Sequence, residues 1–387
     1  MQNIIHNQII AGLKTVSQVN IRYVITILIL IPCFSCKQRT TSKGQPPFEL
    51  ECLGIAVKHE NTHVWGSSPV IGPDGRIHIY AAQWERPEEN GFGGKTHDGK
   101  NTGWTVSSEI AHYVADNPEG PFEFIRIAVP DRDGKFNAPH NPTIKYMDGK
   151  YVLLFIVNTD GNTATQRIMM YVADDLDDNW RPAKGAEPDG TILRQSGSPE
   201  FWDHTATLGN SNPCLINHDG KYKLYFKAVI PLPDSVVGQE WQKGRTWTYG
   251  VAFSETLEGP YIKEKERVTK TYHPLEDAYV FAYDERVWMF SRDMNEKRGG
   301  GGLLWISEDG MEFDYEKAIL GFHHLDYYIG QEETANLIAY RGTNHGHLER
   351  PQILFIDGKP AYLYAATGLG LPKPYGSCSY VFRMALK

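Results

Sequence analysis

The chain has 387 residues, 41% of them apolar and 22% charged, an ordinary globular composition that excludes a disordered chain. Its formal charge of −8 and pI near 6.0 exclude a general nucleic-acid binder, which needs a basic face to neutralise phosphates. Aromatics at 12%, with 21 Tyr and 9 Trp, suit pleated strands and stacking on sugar rings.

The first predicted element is a targeting segment. Lys14 and Arg22 precede the apolar run "YVITILILIPCF", which is too short to span a bilayer as a stable helix. Ser35 and Cys36 follow, and "CFSC" resembles a bacterial lipobox, with Cys33 standing where Leu is usual. Residues 1–36 are therefore expected to be an export signal with Cys36 as the lipidated residue, the alternative being an ordinary cleaved signal without lipid. Membrane contact is expected only through that anchor, on the periplasmic side or at the cell surface. Residues 37–47 read as a flexible tether, and the folded domain as 48–387.

After a lone apolar strand, "FELECLGIAV" from Phe48, the chain repeats itself. The copies are "SSPVIGPDGRIHIY" at Ser67, "HNPTIKYMDGKYVLLFI" at His140, "SNPCLINHDGKYKLYF" at Ser211, "EDAYVFAYDERVWMF" at Glu276 and "ERPQILFIDGKPAYLY" at Glu349. Their anchors, Pro69, Pro142, Pro213, Ala278 and Pro351, are 73, 71, 65 and 73 residues apart. Each copy predicts a β-hairpin: two apolar strands joined at Asp74, Asp148, Asp219, Asp284 or Asp357, four of which precede a Gly that accepts a tight turn. Proline lacks an N–H, so it is expected at the first residue of each inner strand.

A third strand follows each hairpin ("EIAHYV", "RIMMYV", "TYGVAF", "GLLWI"), and a turn such as "ADNPEGPF" or "SETLEGPY" leads to a fourth. Five units of four antiparallel strands predict an all-β, five-bladed propeller. The last unit ends after "SYVFRMAL", so the strand at Phe48 must supply its fourth strand and close the ring. Cys52 and Cys378 then fall in neighbouring strands, as a disulfide or as two buried thiols. A monomer is expected.

First strands line the channel of a propeller, so the residues before the anchors form two rings at its mouth. One is Ser68, Asn141, Asn212, Asp277 and Arg350; the other is Ser67, His140, Ser211, Glu276 and Glu349. Strand alternation turns one ring toward the axis and the other aside. Glycosidic cleavage usually needs two carboxyl groups, which makes Asp277, Glu349, Glu276 and Asp203 the catalytic candidates. The competing role for each is an ion pair between blades. His140 is a candidate acid, base or hydrogen-bonding residue, while Arg350 and Arg167 suit a sugar carboxylate or sulfate. Asn141, Asn212 and Ser68 complete the binding set. Trp65, Trp104, Trp241, Tyr327 and Tyr328 are platforms for a sugar or shields against solvent. His323, His324, His345 and His347 cluster without the carboxylate-flanked spacing of a metal site, so no metal is assigned there. A structural cation in the channel is compatible with the architecture, and no other cofactor is expected.

The repeated polar-Pro-apolar-Asp-Gly hairpins, the "EGPF" and "EGPY" turns, "LEDAYVF" and "LERPQILF" resemble the five-bladed β-propeller glycosidases of glycoside hydrolase family 43 and its relatives. That resemblance spans Phe48 to the end and implies a carbohydrate substrate. Such enzymes carry an Asp base, a second Asp that tunes the acid and a Glu acid on the first three inner strands. Here Ser68, Asn141 and Asn212 take those places, so the usual three carboxylates are missing and the acids lie in blades four and five. The expected function is an exported glycoside hydrolase acting on a plant or algal polysaccharide or oligosaccharide. The alternatives are a lyase on a uronic-acid glycan, using His140 or a Tyr with Arg, and a glycan-binding lipoprotein without catalysis.

Overall fold

The computed structural model describes residues 46–86, 93–95, 101–130, 137–176, 179–236, 244–295, 298–335, 346–368 and 376–387. Cys36, with the rest of the signal and nearly all of the tether, lies outside them, as do Trp241 and His345. The described part is a five-bladed propeller of antiparallel sheets. The inner strands are Thr62–Ile71, Asn137–Met147, Leu208–His218, Leu275–Tyr283 and Glu349–Ile356. In the second blade the outer position is shared by Arg181–Pro182 and Thr191–Arg194, both paired with Asn162–Ala173.

The ring closes as expected. Phe48–Val57 pairs with Cys378–Leu386 as the outer strand of blade five, from Phe48 opposite Leu386 to Val57 opposite Ser379. Cys52 lies opposite Phe382 and Cys378 opposite Thr367, and both are free thiols. Burial pushes the Cys378 thiol up to about 12.

Second strands are continuous apolar runs because both of their faces are covered. In Lys150–Thr159, Leu153, Phe155 and Val157 pack with Tyr80, Ala82 and Ile110 of blade one, while Val152, Leu154 and Ile156 pack with Leu215, Leu224 and Phe226 of blade three. Alternation along one strand thus serves two interfaces.

The anchor prolines do not begin the inner strands; they lie inside them. Each inner strand carries a β-bulge in the same place, where its register skips between Trp65 and Ser68, His140 and Thr143, Ser211 and Cys214, Glu276 and Tyr279, and Glu349 and Gln352. The bulge leaves the proline's missing N–H out of the ladder. Its first residue is left-handed in every blade: Gly66, Asn141, Asn212, Asp277 and Arg350, with φ of 66, 51, 48, 58 and 51°. Gly, Asn and Asp reach that region most cheaply; Arg350 is the exception, held there by its own contacts.

Aligned on the bulges, blade one shifts by two residues. Gly66, not Ser68, is the equivalent of Asn141, and Ser67 stands where the other blades have Pro or Ala. The offset arises at the turn. Four hairpins have two-residue Asp-Gly or Asp-Glu turns, whereas Ile71 and Ile77 flank a longer loop closed by Gly72 N–H donating to Arg76 O at 2.9 Å.

Below the bulges the strands are stitched around the axis. Ser68 Oγ donates to Gln352 Oε1 and accepts from Ile144 N, both at 3.0 Å. Thr143 Oγ1 donates to Pro213 O, Cys214 Sγ accepts from Val280 N and donates to Val280 O, and Tyr279 OH donates to Ile353 O. Every pair of neighbouring blades is joined, so Ser68 is a structural residue rather than a binding one.

Candidate active site

Strand alternation does not separate the two rings, because a bulge turns consecutive side chains to the same side. His140 with Asn141, Ser211 with Asn212, and Glu276 with Asp277 all line one cavity of about 440 Å³, together with Trp65, Trp104 and Glu349. Eight of the twelve expected site residues therefore meet in one place.

The floor is a polar chain. Asn141 Nδ2 donates to Asn212 Oδ1 at 3.1 Å, and Asn212 Nδ2 donates to Asp277 Oδ1 at 2.7 Å. Arg350 lies beneath the lining, 1% exposed, and its Nη2 donates to the carbonyls of Asn141 and Pro142 at 3.3 Å. It fills the space that Gly66 leaves: a Cβ on Gly66 would stand 3.3 Å from Arg350 Nε. A role for Arg350 in gripping a sugar directly is corrected to one beneath the floor.

Asp277 is 6% exposed, and its pKa is raised, first by burial and then by the Glu276 charge, against the opposing pull of Arg350, Lys227 and Arg292. The other two carboxylates are ion-paired across blade boundaries. Lys227 Nζ of blade three lies 2.6 Å from Glu276 Oε1, and Arg292 Nη1 of blade four lies 2.6 Å from Glu349 Oε1. Both cations line the cavity and were missed in the sequence. Each faces a pre-bulge residue across its own hairpin, Lys227 opposite Ser211 and Arg292 opposite Glu276. A charged residue at the cavity end of an apolar second strand was the available signal.

His140 is held neutral, its pKa pushed down to about 3 by burial and by the charges of Arg350 and Lys227. Its Nδ1 is 2.9 Å from Ser108 Oγ, and its ring lies 5.4 Å from Trp84 and 5.0 Å from Trp104. An imidazole that stays neutral through the working range suits hydrogen bonding better than proton donation.

Two candidates lie elsewhere. Asp203 is fully buried outside the cavity, where Lys263 Nζ and Asn210 Nδ2 hold its Oδ2. Arg167 pairs with Asp189 at 3.5 Å and donates to Thr191 Oγ1, facing a separate shallow hollow. Both lie away from the cavity, each beside an opposite charge, Lys263 for Asp203 and Asp189 for Arg167, so the fold does not bring them to the other candidates. His323 stacks on Tyr327 at 3.7 Å, and among the described residues no group of His, Cys, Asp and Glu is arranged to hold a metal.

No family model and no curated protein matches this chain. Solved structures do. Zg3597, a family 117 glycoside hydrolase of the marine bacterium Zobellia galactanivorans, is similar with a TM-score of 0.59 and 15% identity over 88% of this chain and 90% of that one. A GH43_1 enzyme from Xanthomonas citri gives 0.51 and 14%, covering 86% and 91%. CoXyl43, a GH43 β-xylosidase/α-arabinofuranosidase from a compost metagenome, gives 0.50 and 16%, covering 88% and 94%. At these identities the likeness establishes the fold alone: the chain has the five-bladed propeller fold that these glycoside hydrolases also have.

Proposed function

We propose that the chain is an exported glycoside hydrolase acting on a plant or algal oligosaccharide or polysaccharide, with Asp277 as proton donor and Glu349 as the carboxylate that activates water or attacks the sugar. One observation carries this: three carboxyl groups meet in one cavity, with Asp277 pushed toward its protonated form and Glu276 and Glu349 each ion-paired. Glycoside cleavage needs such a division between one protonated and one ionised carboxyl group. Glu276 is assigned to keeping Asp277 protonated. Trp65, Trp104 and Trp247 line the cavity and give it aromatic walls suited to a sugar ring. A lyase that uses His140 as its base is disfavoured, since an imidazole with a pKa near 3 is a weak base.

The test is product release from plant and algal oligosaccharides by the chain lacking residues 1–36, read by reducing-sugar and ultraviolet assays. Reducing ends without ultraviolet absorbance, lost in Asp277→Asn and Glu349→Gln, are expected; absorbing products that survive both substitutions overturn the assignment. Export and the lipid anchor rest on the sequence of residues 1–36. They predict that the full chain partitions into detergent and that Cys36→Ala does not.

A further inference from the structure

Resting on the hydrolase proposed above, we infer that the cavity selects an acidic glycan, one whose carboxylate or sulfate is received by Arg245 beside the Trp247 ring. The cavity is lined by three cations, Lys227, Arg245 and Arg292. Two are committed, Lys227 to Glu276 and Arg292 to Glu349. Arg245, at the start of the strand Arg245–Ser254, is exposed, and its side chain makes no ion pair or hydrogen bond with any described residue. Its guanidinium lies 5.3 Å from the centre of the Trp247 ring, which also lines the cavity. Stacking on an indole leaves the edge of the guanidinium open, and that edge matches the two oxygens of a carboxylate or sulfate.

The floor points the same way. Arg350 is buried with Nε and Nη1 lacking hydrogen-bond partners among the described residues, so its charge adds to the potential under the cavity. Asp277, a carboxyl group that feels the Arg350 charge, is biased toward its neutral form by burial and by Glu276. An uncharged sugar leaves this positive excess unused, whereas an acidic one neutralises it. Of the two arginines marked in the sequence for an acidic group, Arg350 is buried beneath the lining and Arg167 is paired with Asp189 outside the cavity, and Arg245 takes that part.

The test is affinity electrophoresis of the chain lacking residues 1–36 through gels containing pectate, alginate, glucuronoxylan or carrageenan, each beside its carboxyl-reduced or desulfated form. The full chain carries a formal charge of −8, which works against unspecific retention by a polyanion. Retention by at least one acidic polymer is expected, weakened about tenfold both by neutralising the polymer and by Arg245→Gln, with Arg245→Lys in between. Equal retention by acidic and neutralised polymers, or by the wild type and Arg245→Gln, overturns the inference. Cleavage of a neutral glycan that is unchanged in Arg245→Gln also overturns it while leaving the hydrolase standing. No retention and no product from any glycan overturns both.

Discussion

The Glu of "EGPY" gives the fold its sharpest quantitative test. Glu258, in blade three, receives both arms of Arg181 from blade two, at 2.7 and 2.8 Å, and also the backbone N–H of Lys184 at 3.0 Å. These partners hold its pKa down to about 2 from an ordinary 4.5, chiefly through the Arg181 hydrogen bonds. A shift of that size corresponds to roughly 3 kcal/mol of stability at neutral pH. Arg181 is 44% exposed, so screening by water reduces the expected loss in Glu258→Gln to about 2 kcal/mol. At about 2 °C per kcal/mol for a large domain, Tm should fall by about 4 °C. Because the folded pKa is depressed, the stabilisation is complete above the unfolded pKa and disappears as pH falls toward 2. Calorimetry of both proteins from pH 7 to pH 3 should therefore show the two Tm values converging. A difference below about 1 °C at pH 7, or one unchanged at pH 3, refutes the clasp.

The same electrostatics govern the cavity. Glu276 raises the Asp277 pKa and Lys227 lowers it, so Glu276→Gln should move the alkaline limb of kcat/KM to lower pH and Lys227→Met should move it higher. Shifts in the same direction would show that Asp277 is not the group titrating. Asp277 keeps a proton in the folded state that the unfolded chain releases above its ordinary 3.8, so stability drops as pH rises. Asp277→Asn, which still accepts from Asn212, should therefore raise Tm by a margin that grows with pH above 4, even as activity is lost; a margin independent of pH contradicts the assignment. Asn212→Leu strips partners from Asn141 Nδ2 and Asp277 Oδ1 and should cost about 2–4 kcal/mol by denaturant titration, against little for an exposed Asn.

The architecture was legible because its signals are local: Asp-Gly turns between apolar runs, a fixed repeat, and one strand left over at each end. The bulge was not legible, since a proline inside a strand and one at its start read alike. That ambiguity placed Ser68 where Gly66 belongs and set two adjacent rings apart that the backbone brings together. Asn141, Asn212, Glu276, Asp277 and Glu349 were found because polar residues interrupt otherwise apolar strands. Lys227 and Arg292 required folding each hairpin about its turn to see what faces the mouth. Asp203 and Arg167 misled because a charge in a sequence does not reveal the opposite charge that neutralises it, here Lys263 and Asp189.

The central claim is that Asp277 delivers the proton to the leaving group. It is tested most directly by turnover of Asp277→Asn on two glycosides of the sugar that the wild type releases, one with an alkyl leaving group and one with dinitrophenol, which departs without a proton. A loss of about 10²–10⁴-fold on the alkyl glycoside, with most activity kept on the dinitrophenyl one, is predicted. Equal losses on both, or none on either, would contradict it.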